Sequence, residues 1–214
     1  MTIRHHLSEP LLMAYSAGHL PEAFSLVVAT HLSLCDECRA RSDAYDAVGG
    51  ALVQGTDAVA MAQDSLTLMM ERIDVLPQAT QRARLRGTGI LPAPLVDYIG
   101  GGLEAVKWRP IGMGVRQAIL PTAPDASVRL LHIPAGVAVP DHGHRGMELT
   151  LVLQGAFADK TDRFARGDIE IADEALVHTP VADAGMDCIC LAATDAPLRF
   201  KTILPRIAQS MFRI

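Results

Sequence analysis

Residues 31–38 read His-Leu-Ser-Leu-Cys-Asp-Glu-Cys, a His-x3-Cys-x2-Cys motif around which we expect the first half of the chain to fold. On one helical turn, Cys35 and Cys38 are three residues apart and point the same way. His31 lies one turn earlier, so three nitrogen and sulfur donors can meet at one point. Zinc prefers four such donors in a tetrahedron. The motif therefore predicts a zinc site that lacks one ligand.

The missing ligand must come from elsewhere in the chain. Three nearby histidines are candidates: His5, His6 and His19. We favour His6, which lies just ahead of a predicted helix. With four protein ligands no position would remain open for a substrate, so the predicted site is structural. The alternative is a pair of buried thiols beside a surface histidine.

Composition narrows the class of protein. The 214 residues carry a net charge of −5 and no block of lysine and arginine, which argues against a protein that grips nucleic-acid phosphates. The N-terminus has no signal-peptide pattern and no apolar run is long enough for a membrane span, so we expect a cytoplasmic protein. Thiols stay reduced there, and the four cysteines in two close pairs indicate metal or redox chemistry.

The first half of the chain has a helical pattern. Helices are predicted to begin near Ser8, Pro21, Cys35 and Ser65. The last of them carries one apolar stripe, formed by Leu66, Met69, Met70 and Ile73. Such a stripe is typical of a core, and its methionines also suit a surface that packs against a partner protein. Because a few short helices bury little apolar area, a metal crosslink would supply stability that the core lacks.

The pattern changes after residue 94. Prolines, glycines and arginines interrupt residues 77–94, which predicts a linker. Short apolar segments separated by turns then predict strands at 128–133, 149–153, 169–171, 188–191 and 198–201, with a possible short helix at 207–212. Strands at this spacing indicate a sandwich or a barrel. We therefore predict an α+β protein with a helical domain (1–85), a linker (86–94) and an all-β domain (95–214).

A second set of potential ligands lies in the β region. His142 and His144 are two residues apart on a predicted strand and so face the same side, and Glu148 keeps the same parity. His178, from another strand, completes a set of three imidazoles and one carboxylate. Such a set suits zinc, iron, copper, nickel or manganese and can leave a coordination position open. The alternative is a hydrogen-bonded histidine cluster without a metal.

Cys188 and Cys190 form the second cysteine pair. On a strand they face the same side, about 7 Å apart at two rises of about 3.3 Å, which is too far for an easy disulfide. If that side faces the metal, the thiols are candidates for oxidation. The alternative is a pair of small core thiols.

The β region resembles the cupins. Gly136-x5-His142-x-His144-x3-Glu148-x6-Gly155 matches the first cupin motif, and the spacing from Gly167 to His178 matches the second. Joined to the helical His-x3-Cys-x2-Cys segment, the whole chain resembles the ChrR-type zinc-binding anti-sigma factors. The resemblance implies a small all-α domain stapled by zinc, followed by a cupin (double-stranded β-helix) barrel. It also implies zinc ligands at His6, His31, Cys35 and Cys38, and cupin metal ligands, with zinc the expected ion, at His142, His144, Glu148 and His178.

The resemblance implies a regulator and not an enzyme. Its partner would be an extracytoplasmic-function (group IV) sigma factor, held in a heterodimer away from RNA polymerase until oxidative stress such as singlet oxygen is sensed with the help of the cupin. No direct contact with nucleic acid or membrane is expected. The competing hypothesis is a metal-dependent, dioxygenase-like cupin enzyme with an accessory zinc domain. A zinc-finger nucleic-acid binder is disfavoured, because the second ligand pair of a finger and a basic stripe are missing.

Overall fold

The computed structural model describes residues 2–75, 89–197 and 199–200. Within these residues the helices are α1 (Glu9–Ser16), α2 (Glu22–Leu32), α3 (Asp36–Gln54), α4 (Ser65–Val75) and α5 (Ala93–Ile99), followed by a 3-10 turn (Leu103–Ala105). The strands are β1 (Arg109–Gly112), β2 (Val115–Leu120), β3 (Ser127–Ile133), β4 (His142–Gly143), β5 (Glu148–Gln154), β6 (Ala156–Ala158), β7 (Arg163–Ala165), β8 (Ile169–Ala172), β9 (Val177–His178), β10 (Val181–Ala182), β11 (Cys188–Thr194) and β12 (Arg199–Phe200). The chain is thus helical first and β afterwards, as predicted.

The described strands form one large sheet and two small ones. The large sheet has the order β1-β2-β3-β11-β5-β8, and the small sheets have the orders β10-β6-β7 and β12-β4-β9. Neighbouring strands pair antiparallel throughout. In the last sheet His142 lies directly opposite His178, so the pairing itself brings two predicted ligands together.

The central strands β5 and β11 of the large sheet are buried on both faces. On β5, Leu149, Leu151 and Leu153 point to an outer face, whereas Val152 points to an inner face. Side chains of β6, β7 and β10, among them Phe157, pack against the inner face. Together the sheets form the barrel that the cupin motifs predict.

The outer face of the barrel is covered by helices. Helix α2 contacts β3, β5 and β11 as well as α1, α3 and α5. Its side chains Phe24, Val27 and Val28 share one buried cluster with Leu130 and Leu191 of the sheet. The sequence predicted that a metal crosslink would supply the stability that a few short helices lack. That expectation is incomplete, because the sheet also covers the apolar side of these helices.

The predicted helices α1–α4 lie where the sequence pattern puts them, but α5 was missed. It begins at Ala93, inside the segment expected to be a linker, and buried Leu91 precedes it. Proline usually breaks a helix, but Pro92 is the N-cap of α5 and Pro94 lies in its first turn, where proline is tolerated. The predicted strand 198–201 is described only at residues 199–200, and the predicted helix 207–212 and the predicted boundary at residue 85 lie outside the described residues.

The N-terminal segment is fastened to the barrel by one buried carboxylate. Asp168 Oδ1 accepts hydrogen bonds from the backbone N–H groups of Arg4 (2.6 Å) and His5 (3.0 Å), and Oδ2 accepts one from Ala165 (2.9 Å). The backbone N–H of Ile169 donates to the carbonyl of His5 at 3.3 Å. Burial raises the pKa of the Asp168 carboxyl, but the hydrogen bonds outweigh this and hold that pKa below its ordinary value. Asp168 is therefore charged and ties residues 4–5 to the barrel.

Replacing Asp168 with asparagine is expected to lower the free energy of unfolding by about 1–3 kcal/mol at pH 7. The amide nitrogen that replaces Oδ2 cannot accept from the Ala165 N–H, and the hydrogen bonds from Arg4 and His5 lose a charged acceptor. A carboxyl whose pKa is lower in the folded state stabilises the fold above its unfolded pKa of about 3.9, and that stability is lost as the pH falls through the folded pKa. The difference between D168N and wild type should thus narrow at low pH. Denaturant unfolding at neutral and acidic pH measures it.

The matched control is D162N, since the mostly exposed Asp162 also bonds His5, through Nε2 at 3.0 Å. Its effect should stay below about 1 kcal/mol, as for other surface ion pairs. Equal losses in the two variants would refute the special role of Asp168.

In the described part of the chain, no helix is both long enough and apolar enough to cross a membrane.

Candidate metal centres and an exposed apolar arm

The four ligands predicted for the helical site converge in the structure. The donor atoms of His6, His31, Cys35 and Cys38 all lie within 4.8 Å of one another. His6 Nδ1 is 3.3 Å from the Cys35 sulfur and 3.6 Å from the Cys38 sulfur. Of the three histidines left open by the sequence, the structure brings His6 to this point, whereas the ring of His5 turns to Asp162 and Asp168.

Local backbone structure explains the convergence. His31 is the penultimate residue of α2, and a short turn leads from it to α3. Cys35 is the N-cap of α3 in an extended conformation, and its sulfur accepts a hydrogen bond from the backbone N–H of Cys38. The expectation that both cysteines lie on one helical turn is therefore only half right, since Cys35 is the cap and Cys38 is inside the helix. The cap still turns both sulfurs to the same side. On the far edge of the His6 ring, Nε2 lies 3.5 Å from a carboxylate oxygen of Glu37.

The environment of this cluster suits a cation. Both ring nitrogens of His31 are buried without a hydrogen-bond partner among the described residues. Burial lowers the pKa of His31 to about 4, so the imidazole is neutral and can donate a lone pair. Burial also raises the pKa of the Cys38 thiol to about 11. A divalent cation would compensate the buried thiolates, and the donor set fits a closed, structural metal site.

The cupin histidines form a second cluster. The donor atoms of His142, His144 and His178 lie within 4.8 Å of one another, and all three side chains are buried. The ring centroids are 4.8–5.5 Å apart. Glu148 stands at the edge of this group: its Oε2 is 3.8 Å from His144 Nδ1, and its Oε1 accepts a hydrogen bond from Thr150. Three of the four predicted ligands thus converge, and Glu148 as a ligand stays a prediction.

The nitrogens of this cluster also fit a metal. His142 Nδ1 donates to the carbonyl of Pro140 at 2.8 Å. Neither ring nitrogen of His144, nor His178 Nε2, has a hydrogen-bond partner among the described residues, although all three atoms are buried. Burial lowers the pKa of His142 and His144, so both imidazoles are neutral. Buried, unpartnered nitrogens are costly unless something binds them.

Comparison with known proteins identifies the family of the chain. The sequence model described as the ChrR Cupin-like domain matches residues 99–196. The anti-sigma-E factor ChrR of Cereibacter sphaeroides is 65% identical over 214 residues, covering 100% of each chain. The chain belongs to the ChrR family. A crystal structure of Rhodobacter sphaeroides SigE in complex with the anti-sigma ChrR contains a similar chain, with 63% identity and a TM-score of 0.80 over 90% of this chain and 99% of that one.

Two acidic residues near the second cluster were missed by sequence reasoning. Asp159 and Glu170 form a further group of potential ligands with His178. Glu170 lies between Ile169 and Ile171 on β8, an alternation that normally places the charged residue in solvent. Here the face opposite Ile169 is the interior of the barrel. The burial of Glu170 can be predicted only if it is known that the outer face of the sheet, on which Ile169 lies, is covered as well.

The second cysteine pair is buried inside the barrel. Cys188 and Cys190 belong to the apolar cluster of the inner face, and their sulfurs are 3.4 Å apart. The expected separation of about 7 Å was wrong for the sulfurs, because it measured backbone rise and the two side chains lean together. The hydrogen bond between Cys190 and Cys188, together with burial, raises the pKa of Cys190 well above its ordinary value, which makes its thiolate scarce. Oxidation of this pair stays a hypothesis.

The end of α3 and the whole of α4 form an exposed apolar arm, residues 46–75. Its large apolar side chains are more than half exposed: Val48, Leu52, Val53, Val59, Met61, Leu66, Leu68, Met69, Met70, Ile73 and Val75. Helix α4 buries no residue. So many exposed large apolar side chains in one segment usually mark a site that another protein covers. Of the two interpretations of the α4 stripe, the structure favours the partner surface.

Proposed function

We propose that this protein is an anti-sigma factor, which binds an extracytoplasmic-function sigma factor and keeps it from RNA polymerase. The observation that carries the proposal is the 65% identity, over the full length of both chains, to the anti-sigma-E factor ChrR. In the similar crystal structure the relative is in complex with SigE. The protein is thus a regulator and not a cupin enzyme, and its site of action would be the cytoplasm, where sigma factors meet polymerase.

The apolar arm supplies a surface for this function. Its side chains are exposed in the free chain, so a partner can bury them on binding without any loss of packing inside the protein. Met69 and Met70 on α4 add unbranched, adaptable side chains, which suit a protein interface. Because every 1.4 kcal/mol changes an equilibrium tenfold, a small loss of this contact would release much of the partner.

Each metal cluster would have its own task. We assign zinc to His6, His31, Cys35 and Cys38, because two thiolates and two imidazoles are the donors of closed zinc sites. The ion would fasten the segment before α1, the end of α2 and the start of α3 to one another. We assign a divalent cation, with zinc again the expected ion, to the cupin histidines with Glu148 nearby. That site would take part in sensing oxidative stress such as singlet oxygen, not in holding the sigma factor.

Reconstitution tests the proposed function. The full chain would be mixed with an extracytoplasmic-function sigma factor from the same genome, and the mixture run on size exclusion and added to core RNA polymerase on a cognate promoter. We expect a 1:1 complex and loss of transcription, with transcription restored by excess sigma factor. Full transcription at an excess of this protein over every such sigma factor of the genome would refute the proposal.

A further inference from the structure

We infer that Asp159 and Glu170 are positioning residues for the cupin metal centre, because together they hold His178 with its Nε2 turned toward His142 and His144. The inference deepens the proposed function and rests on its cupin metal site. It names no additional ligand of that ion. It assigns instead the two side chains that decide which nitrogen of His178 is available to it.

The geometry around His178 fixes its tautomer. His178 Nδ1 is 2.9 Å from Asp159 Oδ2 and 3.2 Å from Glu170 Oε1. The His178, Asp159 and Glu170 side chains are only 4%, 1% and 6% exposed, so water does not compete for these contacts. Carboxylates only accept hydrogen bonds, and the nitrogen that faces them must therefore carry the hydrogen. Burial lowers the pKa of His178, but the hydrogen bonds to Glu170 and Asp159 outweigh it and raise that pKa above its ordinary value. When the ring is neutral, its lone pair is on Nε2, which is buried and has no hydrogen-bond partner among the described residues.

Asp159 is itself held rigidly. It follows β6, and its Oδ1 accepts hydrogen bonds from the backbone N–H groups of Thr161 (2.7 Å) and Asp162 (3.0 Å) and from the Thr161 hydroxyl (2.5 Å). Burial raises the pKa of the Asp159 carboxyl, but these hydrogen bonds outweigh it and hold the pKa well below its ordinary value. The carboxylate is charged and one oxygen is fully occupied, so Oδ2 is the oxygen that faces His178.

Glu170 reaches the same nitrogen from another strand. It lies on β8 opposite Thr150 of β5, and its side chain points into the barrel. Two buried carboxylates therefore share one N–H, although one would be enough to hold the ring. By contrast, Nδ1 of His142 is held by the neutral carbonyl of Pro140. A carboxylate on the far nitrogen orients an imidazole and strengthens it as a metal ligand. The surplus of negative charge behind His178 also favours a cation in front of it.

The test measures metal affinity in the full-length chain by competition with a chelator. D159N is expected to weaken metal binding at the cupin site by about 10- to 100-fold, the usual effect of removing such a partner. E170Q should weaken it less, because glutamine can turn its oxygen toward Nδ1, whereas the three hydrogen bonds at Asp159 Oδ1 keep the asparagine oxygen away and place its NH2 against Nδ1. Metal at the thiolate-containing helical site serves as an internal reference, since the cobalt(II) forms of the two sites differ in their thiolate absorption. That reference should not change.

The matched control is D183N. Asp183 also belongs to the barrel and pairs with Arg163 on β7, at 2.6 Å, but is not among the residues of either metal group. Its substitution should leave both metal affinities at the wild-type value. A loss in D183N equal to that in D159N would mean that any removed carboxylate has this effect, and would overturn the inference.

A second measurement separates positioning from general structure. Nitrogen NMR of the metal-free chain, recorded at a pH where the His178 ring is neutral, reports which ring nitrogen carries the hydrogen. We expect Nδ1–H in wild type and a mixture of tautomers in the D159N/E170Q double variant. Wild-type protein with Nε2–H, or wild-type metal affinity in both single variants, would overturn the inference.

The inference can still be tested if D159N does not fold or if the wild-type protein binds no metal at the cupin site. If D159N fails to fold because asparagine disturbs the turn at Thr161, E170Q decides, since wild-type affinity in that variant counts against the inference. If wild type itself binds no metal at the cupin site, the proposed metal site fails, and the tautomer of His178 still decides whether Asp159 and Glu170 position the ring.

Discussion

Replacing Cys38 with serine is expected to empty the helical metal site and loosen α1, α2 and α3. The Cys38 side chain is fully buried, and its sulfur lies 3.6 Å from His6 Nδ1. A serine hydroxyl is a poor zinc ligand, so three donors would remain for an ion that needs four. Structural zinc contributes about 10–16 kcal/mol to small domains, although here the sheet covers part of the helices and should limit the damage. Bound zinc should fall from about two equivalents per chain to about one.

The partner should be lost together with the zinc. Because the metal fixes the start of α3, the apolar arm that continues from this helix would lose its anchor, and we expect sigma-factor affinity to fall by more than tenfold. Zinc content, helical circular dichroism and co-elution with the sigma factor measure the effect. C188S is the control, since Cys188 is also fully buried but lies outside both metal groups. A C38S protein that keeps its second zinc and its helical signal would contradict this role.

A charge placed on α4 is expected to abolish sigma-factor binding without unfolding the protein. Met69 and Ile73 are four residues apart and hence on one face of the helix, and they are 54% and 52% exposed. Aspartate at either position would have to be buried without a partner in the complex. Central apolar residues of an interface contribute about 2–4 kcal/mol, so M69D and I73D should each raise the dissociation constant by about 30- to 1,000-fold. Titration with the labelled sigma factor measures it.

The structure offers a close control for M69D. Met186 of the barrel is 56% exposed, nearly the same as Met69, and lies far along the chain from the apolar arm. M186D should bind the sigma factor like wild type. Since all three changes are at exposed sites, the free energy of unfolding should change by less than about 0.5 kcal/mol. Wild-type affinity in both M69D and I73D would show that the arm is not the binding surface.

The sequence predicted the helices, the strands and the ligand clusters better than it predicted how the helices pack on the sheet. The ligand spacings pointed to both clusters, because His31, Cys35 and Cys38 adjoin one helix cap, and His142 and His144 belong to one short segment. Helix α5 was missed because Pro94 serves equally as a breaker and as a first-turn residue. Asp159 and Glu170 were missed because their role depends on which face of β8 is inside. One signal was present: Leu149–Leu153 on β5 has hardly any polar alternation, a pattern typical of a strand covered on both sides.

The docking of α2 on the barrel has a consequence for how the protein can be switched. Residues 4–5 and α2 contact the barrel directly. Noncovalent contacts therefore hold the helical half on the barrel, in addition to the covalent connection through residues 76–88. Asp168 accepts a hydrogen bond from the backbone N–H of His5, the residue before His6. Two residues after Asp168, the Glu170 side chain contacts His178. A rearrangement behind the cupin histidines would therefore have to cross only a few residues to reach the cluster of His6, His31, Cys35 and Cys38. In the proposed switch, release of the sigma factor would begin as a shift at this contact between the barrel and the N-terminal segment.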